Sequence, residues 1–563
     1  MKALGLGCMR LSTEATRNEE RGAAVIVAAI DAGYTFLDTA RAYGLSEGDL
    51  GHNERLVADA LARRPSRRRA ITVVTKVGMR RDGGAWIPDG RAKLIREQAA
   101  ASAEVLGAPI DLLLNHAPDR KTAWATTVRA LDALREDGTA RAIGLSNPTL
   151  ADLEAACDLA PISAIEIALG AYDDAAARSG IVELCARRGI TVLAHTPLGS
   201  PKRAPRLRKH PMLAAIAKRR GASPAAVFLA YLASLPGRVV PLVGARRVES
   251  VLDASRALAL ELDAEDLEQL DTEWRGLRRA PRAVVPGRDG TDVVLLIGIQ
   301  GAGKSTAVGD FLTRGYERLN RDEHGGTLRQ IAERLDERLA AGATKVVLDN
   351  TYLARAQRAD VVDVAKRHAA RVRCVHVATP LPVAQVRLCE RMLARFGRLL
   401  DPDEIARSRD PAVVAPLVQM RAHREMEHPR EEEGFDAIET WDAAPTPRAE
   451  RTRSGVAVHL DALRDVEPRT ADAWTIFGWA PELSESMATA LADALAQRVG
   501  APVDLRLCRH GGGAPRCFCR PPLPGLLVSF VHERAVAPDR LVVVGGASAR
   551  SLASALGGAH AER

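Results

Sequence analysis

The chain has 563 residues, 47% of them hydrophobic and 27% charged, a balance that fits folded globular domains and argues against long disorder. Its formal net charge of +8 admits a polyanionic partner without demanding one. No apolar run reaches the ~18–20 residues that span a bilayer, and the opening MKALGLGCMRLSTE has no signal-peptide core, so a cytoplasmic protein with no membrane association is expected.

From the N-terminus onward, short apolar runs alternate with stretches of helical periodicity such as AAVIVAAIDAG and ATTVRALDALREDG. The runs Ala3–Gly7, Thr35–Asp38, Ile71–Lys76, Ile110–Asn115, Arg141–Ser146, Ala164–Ala168, Thr191–His195 and Val239–Val243 predict strands. Eight βα units predict a closed (β/α)8 TIM barrel over residues 1–275, with an open doubly wound sheet as the alternative that periodicity leaves. Residues 276–291, rich in Arg, Pro and Gly, read as a linker. A second α/β pattern fills 292–445, with strands expected at Val293–Gly298, Tyr316–Asn320, Lys345–Asp349 and Val372–Val377. A second linker, 446–455, precedes a small α/β unit at 456–563.

Active sites of parallel barrels lie at the C-terminal rim. Asp38 ends the second expected strand, Lys76 the third, His116 follows the fourth, and Tyr43 lies five residues after Asp38. A Tyr is a poor acid at neutral pH, since its pKa is ~10. A neighbouring Lys⁺ is expected to lower that value, an Asp to hold the Lys, and a His to orient a carbonyl. Each residue alone is more simply a cap or a rim ion pair; four at successive rim positions point to chemistry.

Residues 1–275 resemble the aldo-keto reductase family through GLGCMRLS, GYTFLDTARAYG, VVTKVG, IDLLLNHAPD, AIGLSNP, LAHTPLGS and VPLVGARRVESV. The resemblance implies a catalytic tetrad of Asp38, Tyr43, Lys76 and His116, a small carbonyl substrate, and NADP(H) bound without a Rossmann domain. Ser146 and Asn147 match positions that hold the nicotinamide carboxamide. Gly244, Arg246 and Arg247 match the region near the adenosine 2′-phosphate. Two positions depart from the family: Glu166 stands where it has a Gln, and His195 where it stacks an aromatic ring on the nicotinamide.

Residues Val293 to Thr306 read VVLLIGIQGAGKST, a P-loop after an apolar run and before an amphipathic one. Gly298, Gly301 and Gly303 let backbone N–H groups wrap a phosphate; Lys304 neutralises charge, and Ser305, followed by Thr306, can ligate Mg²⁺. Asp322 lies just past the second strand, where a carboxylate can accept a proton from a hydroxyl nucleophile or simply cap a helix. Asp349 ends the next strand in the manner of a Walker B carboxylate, and Arg387, Arg391 and Arg395 line a basic helix that is either a solvated face or a lid. This stretch resembles the kinase module of polynucleotide kinase–phosphatases in GAGKST, GYERLNRD, LDNT and EEEGF. That implies ATP and Mg²⁺, Asp322 as general base toward a 5′-hydroxyl of nucleic acid, and Arg391 as the lid residue. The same module serves small-molecule kinases.

Eight cysteines are too few for a disulfide framework, yet three fall within twelve residues, in LCRHGGGAPRCFCRPP. The spacing C-x-H-x₆-C-x-C presents Cys508, His510, Cys517 and Cys519, a ligand set for tetrahedral Zn²⁺. The loop resembles the zinc loop of heptose-bisphosphate phosphatases in the haloacid-dehalogenase-like superfamily. Active relatives carry a Lys where Arg520 stands and an acidic residue where Gly546 stands. Their D-x-D is best matched in VAVHLDALRDV by Asp461, with Leu463 in the second position. The implied domain is a degenerate phosphatase kept as a structural zinc-bearing scaffold.

The combined expectation is an NADP(H)-dependent reductase fused to an ATP-dependent 5′-hydroxyl polynucleotide kinase for end healing. One alternative joins a metabolic reductase to a small-molecule kinase. Another is an NADP- and ATP-gated sensor, against which the intact tetrad and Asp322 argue.

Overall fold

The structure, a computed structural model, describes residues 2–107, 109–278, 290–410, 412–441, 451–464 and 466–562. These form two compact units, Met1–Arg282 and Ala283–Arg563.

The first unit is a closed parallel barrel. Its strands are β1 (Gly5–Gly7), β2 (Phe36–Asp38), β3 (Thr72–Val77), β4 (Leu112–Asn115), β5 (Ile143–Ser146), β6 (Ile162–Ala168), β7 (Thr191–His195) and β8 (Arg238–Val243). β1 closes the ring by pairing with both β8 (Gly5 opposite Leu242) and β2 (Gly7 opposite Asp38). Phe36, Val74, Leu114, Ala164, Leu193 and Val240 fill the interior. Apolar residues on the other strand faces pack against the helices, so the barrel is a filled core whose chemistry must sit at its rim. An antiparallel hairpin, Met79–Asp82 with Ala85–Pro88, rises from the rim after β3.

The second unit holds two parallel five-stranded sheets. In the first, β9 (Asp292–Ile297), β10 (Glu317–Leu319), β11 (Lys345–Asp349), β12 (Arg371–Val377) and β13 (Ala437–Trp441) run in the order β10-β11-β9-β12-β13. β9, buried on both faces, leads through the glycine-rich turn into helix α1 (Lys304–Thr313). In the other, β14 (Arg453–His459), β15 (Ala473–Trp479), β16 (Val503–Cys508), β17 (Val536–Val544) and β18 (Ala559–Ala561) run in the order β16-β15-β14-β17-β18.

Two linker boundaries shift. Leu277, expected in the first linker, is 2% exposed and packs in the barrel's outer core; residues 279–289 lie outside the described ones. The second linker was expected to reach 455, yet β14 begins at Arg453. Its first residues are polar because they are the exposed start of the strand, held where Ser454 N donates to Asp472 Oδ2 at 2.7 Å. Residues 442–450 of that region lie outside the described ones.

Candidate functional site

The barrel rim brings the expected tetrad together. Lys76, 1% exposed, donates from Nζ to Asp38 Oδ1, to Thr39 O at 3.1 Å and to Tyr43 OH at 3.1 Å. Asp38 is fixed by its place at the end of β2, and the turn after it is pinned by Thr39 Oγ1 donating to Asn53 Oδ1 at 2.7 Å. His116 stands edge-on to Tyr43, with ring centroids 5.5 Å apart. Burial, then the Lys76 charge, lowers the His116 pKa to about 3, so its imidazole is neutral. Its Nδ1 is buried with no hydrogen-bond partner among the described residues.

One electrostatic expectation is overturned. Lys76 does pull the Tyr43 pKa down, but burial outweighs it and the phenol is pushed above its usual range. The charges of Asp38 and of a second buried carboxylate, Glu166, add to that rise; Glu166 Oε2 lies 3.0 Å from Lys76 Nζ. Burial and the charge of Glu166 push Asp38 well above the ordinary carboxylate range, against the pull of Lys76. Burial works against the Lys76 charge, yet Asp38 and Glu166 together hold the ammonium well above the usual lysine range.

Beside the tetrad, the residues matched to the carboxamide form one connected group. Asn147, in the left-handed region at φ 54°, donates its backbone N–H to Glu166 O at 2.7 Å and its Nδ2 to Ser146 Oγ at 3.1 Å. His195 Nε2 lies 3.1 Å from Asn147 Oδ1, and burial, then Lys76, lowers the His195 pKa. Of the two arginines assigned to a 2′-phosphate, Arg246 is held by Glu14, whereas Arg247 stands exposed at the cap of the next helix. Gly244, two residues before Arg246, is exposed.

Two residues of this site went unread in the sequence. Trp86, on the hairpin, packs edge-on to Tyr43 (6.0 Å) and His116 (5.8 Å) and is 39% exposed. Arg81 stacks on Trp86 at 4.1 Å and donates to the carbonyls of Ala42 and Gly44, tying the hairpin to the loop beyond Tyr43. The signal was RRDGGAWIP, a turn dipeptide between two short runs.

In the P-loop, Gly301 has φ 80°, and a Cβ there would lie 2.4 Å from Ala384 O, so the turn requires glycine. Gly303, φ 105°, caps α1, with Ser305 and Thr306 exposed in its first turn. Lys304 Nζ donates to Gly298 O at 2.8 Å and Ile299 O at 3.1 Å. Burial lowers the Lys304 pKa to about 8; the charges of Asp349 and Asp322 act to raise it and that of Arg391 to lower it. The Asp349 carboxylate is engaged by Arg318 and by Asn320 Nδ2 at 3.2 Å, neither of which the sequence singled out for that task. Arg387 Nη1 donates to Ala302 O at 2.6 Å and Gln419 Nε2 to Gln300 O at 2.7 Å, clamping the loop from two helices.

The thiols and imidazole of the tail also converge. Ligand atoms of Cys508, His510, Cys517 and Cys519 all lie within 4.8 Å of one another, and the cysteines are free of disulfides. Hydrogen bonds from Cys508 and Cys519 pull the Cys517 thiol far below its usual pKa. At the centre of the sheet of this domain, β14 ends at His459, so Asp461 lies two residues beyond the strand end and not on it; His459 Nδ1 and Asp461 Oδ1 are 2.7 Å apart. The strand-end pair is therefore His459 and Asp461 rather than Asp461 and Leu463. In either register, one of the two carboxylates of a D-x-D is missing.

Comparison with known proteins assigns the two larger parts. Residues 3–275 match the model of the aldo/keto reductase family, and residues 293–410 match an AAA domain model. "Probable aldo-keto reductase 1" of Glycine max is 29% identical over 300 residues, covering 47% of this chain and 84% of that protein. Aldo-keto reductase str7 of Strobilurus tenacellus is 33% identical over 178 residues, 31% of this chain and 49% of that one. Among solved structures, an aldo/keto reductase from Klebsiella pneumoniae in complex with NADP and acetate is 24% identical, with a TM-score of 0.41 over 50% of this chain and 93% of that chain. The N-terminal half is an aldo-keto reductase domain, and an AAA-type P-loop domain follows it.

Proposed function

We propose that the chain is bifunctional: an NADP(H)-dependent reductase of small carbonyl compounds in the barrel, and an ATP-dependent 5′-hydroxyl polynucleotide kinase in the P-loop domain. The observation that carries the first reading is Lys76 Nζ, shared between Asp38 and, at 3.1 Å, Tyr43 OH, beside a neutral His116. The donor set fits the cofactor: Ser146, Asn147, Glu166 and His195 offer donors and acceptors to a carboxamide, and exposed Arg247 offers a guanidinium to a phosphate. NADPH, when bound, supplies the hydride. The chain's own residues do the rest: His116 orients the carbonyl oxygen, Tyr43 gives it a proton, and Lys76 stabilises the resulting phenolate. The raised Tyr43 pKa keeps the proton in place throughout the neutral range.

Phosphoryl transfer is supported by the charges gathered on Lys304. Lys304 and the loop N–H groups would hold the triphosphate and Ser305 would ligate Mg²⁺. Asp349, its carboxylate already engaged, acts through its charge. Asp322 would accept the proton of the attacking hydroxyl, and Arg387 and Arg391 would offset the charge of the transferred group. Three soft thiols and an imidazole fit a structural Zn²⁺ with no open position for chemistry. The tail is then a decayed haloacid-dehalogenase-like phosphatase, as the missing strand-end carboxylate and Gly546 indicate.

The test is twofold: NADPH consumption with a panel of aldehydes, and transfer of labelled γ-phosphate to a 5′-hydroxyl oligonucleotide and to small alcohols. Transfer to a small alcohol alone would replace the end-healing reading with a metabolic one.

A further inference from the structure

The 16-residue helix α2 (Leu381–Phe396) of the P-loop domain has two working flanks. One faces the phosphate loop. Ala384 and Leu388 lie so close to Gly301 that no side chain fits there, and Arg387 bonds Ala302 O. Arg391, one turn on, is the cation felt by Lys304. The other flank does not face solvent. Val386, Cys389, Met392 and Leu393 share one buried cluster with residues of the C-terminal domain: Phe518, Leu527 of α3 (Gly525–Glu533) and Leu552 of α4 (Ala547–Leu556).

Phe518, 2% exposed, is the residue between Cys517 and Cys519. The contact continues past the helix. A Cβ on Gly525 would meet Leu399 Cδ1 at 2.8 Å and Phe518 O at 2.7 Å, and His510 Nε2 lies 3.9 Å from Asp401 Oδ1. The arginine-bearing helix is thus held between the phosphate loop and the cysteine cluster.

We propose that the C-terminal domain is the positioning platform of this helix: Phe518, fixed by ligation of the cysteines on either side of it, sets Arg387 and Arg391 over the phosphate loop, so nucleotide binding depends on the state of the Cys508–His510–Cys517–Cys519 cluster. The inference rests on the zinc and phosphoryl-transfer readings above. Packed interiors transmit displacement rather than absorb it, and a misplacement of about 1 Å can cost a site ~10²-fold. Phe518 is a positioning residue: it touches no reacting atom. The proposal also gives the domain a use that survives the loss of its strand-end carboxylate.

The experiment uses the full chain, zinc-loaded, chelator-treated, and as the variants Phe518→Ala and Phe518→Leu. Bound zinc, affinity for a fluorescent ATP analogue, and hydrogen exchange across residues 381–401 are measured, with aldehyde reduction by the barrel as the check on integrity. Phe518→Ala should retain zinc, bind the analogue ~10-fold or more weakly, and exchange faster along α2; Phe518→Leu should recover most of both. Chelation should reproduce the Phe518→Ala result. Unchanged exchange and affinity in zinc-replete Phe518→Ala would overturn the proposal, as would chelated protein indistinguishable from loaded protein. Neither readout needs an acceptor, so failure of the kinase reading would show separately, as nucleotide bound but never transferred. A purified chain without zinc would show up in the metal analysis and would overturn the ligation half of the proposal.

Discussion

Glu166 and Asp38 meet at a single ammonium: Lys76 Nζ lies 3.0 Å from Glu166 Oε2 and bonds Asp38 Oδ1, so one buried cation serves two buried carboxylates. A neutral amide at position 166 would leave Asp38 as the only counter-charge.

Glu166→Gln should therefore stabilise the barrel in a pH-dependent way. The Asp38 pKa is raised in the folded state above its unfolded value, so the unfolded chain sheds that proton first as pH rises, and folding loses stability above the unfolded pKa of ~4. Removing the Glu166 charge lowers the folded pKa and returns that loss. Denaturant midpoints of the variant should exceed those of the parent at pH 7 to 8 and converge with them as pH falls toward ~4, where Asp38 keeps its proton in the folded chain and regains it in the unfolded one. Parallel curves at all pH values would rule out the shared-charge account.

Tyr43→Phe should reduce aldehyde turnover by ~10²-fold or more, because it removes the group that gives the carbonyl oxygen its proton. NADPH affinity should stay within about threefold of the parent, since the phenol is not part of the Ser146–Asn147–His195 group. Trp86→Ala should instead raise KM with little change in kcat; steady-state kinetics on one aldehyde resolves the two patterns.

Arg247→Ala should erode preference for NADPH over NADH by ~10-fold, the scale of one lost charge-assisted contact. Arg246→Ala should do less, because Glu14 already engages that guanidinium. Comparing kcat/KM for the two cofactors in each variant decides between them.

Lys304→Ala and Asp322→Ala should each nearly abolish phosphate transfer while aldehyde reduction continues, the two sites lying in separate units. With an oligonucleotide acceptor, activity should also fall steeply between low and moderate salt as phosphate contacts weaken. A flat salt profile would point to a small acceptor.

The pair Arg358–Glu433 is buried at 0% and 3% side-chain exposure and closed by two bonds of 2.7 Å. Glu433→Ala should destabilise the second unit by ~3–5 kcal/mol by leaving a buried cation unpaired. Arg358→Met with Glu433→Leu should recover most of that loss in chemical denaturation.

The barrel was legible because its rim residues close apolar runs: Asp38 and Ser146 end strands in the sequence and in the fold alike, and Lys76 lies one residue before the end of β3. The P-loop was legible for a similar reason, its glycines lying between a buried strand and a helix start. The Tyr43 acidity was misread because spacing reports the neighbour Lys76 but not the desolvation around it. Trp86 was missed because its hairpin adds a side chain from outside the barrel period. The D-x-D match was set at Asp461 and Leu463, two residues past the strand-end pair, because the half-buried His459 and Leu460 carry no signal of where β14 stops. The apolar face of α2 reads in sequence as an ordinary amphipathic helix; only the fold reveals which domain covers it.

That shared cluster also has a history in each newly made copy of the chain. Met392 precedes Phe518 by 126 positions, so at ~5–20 residues per second the ribosome delivers the helix roughly 6–25 s before its cover. During that interval the P-loop sheet can form, but Met392 and Leu393 have nothing to pack on. The same exposure would persist for good in any protein truncated before β14, which should therefore aggregate or recruit a chaperone even though every residue of its phosphate loop is in place.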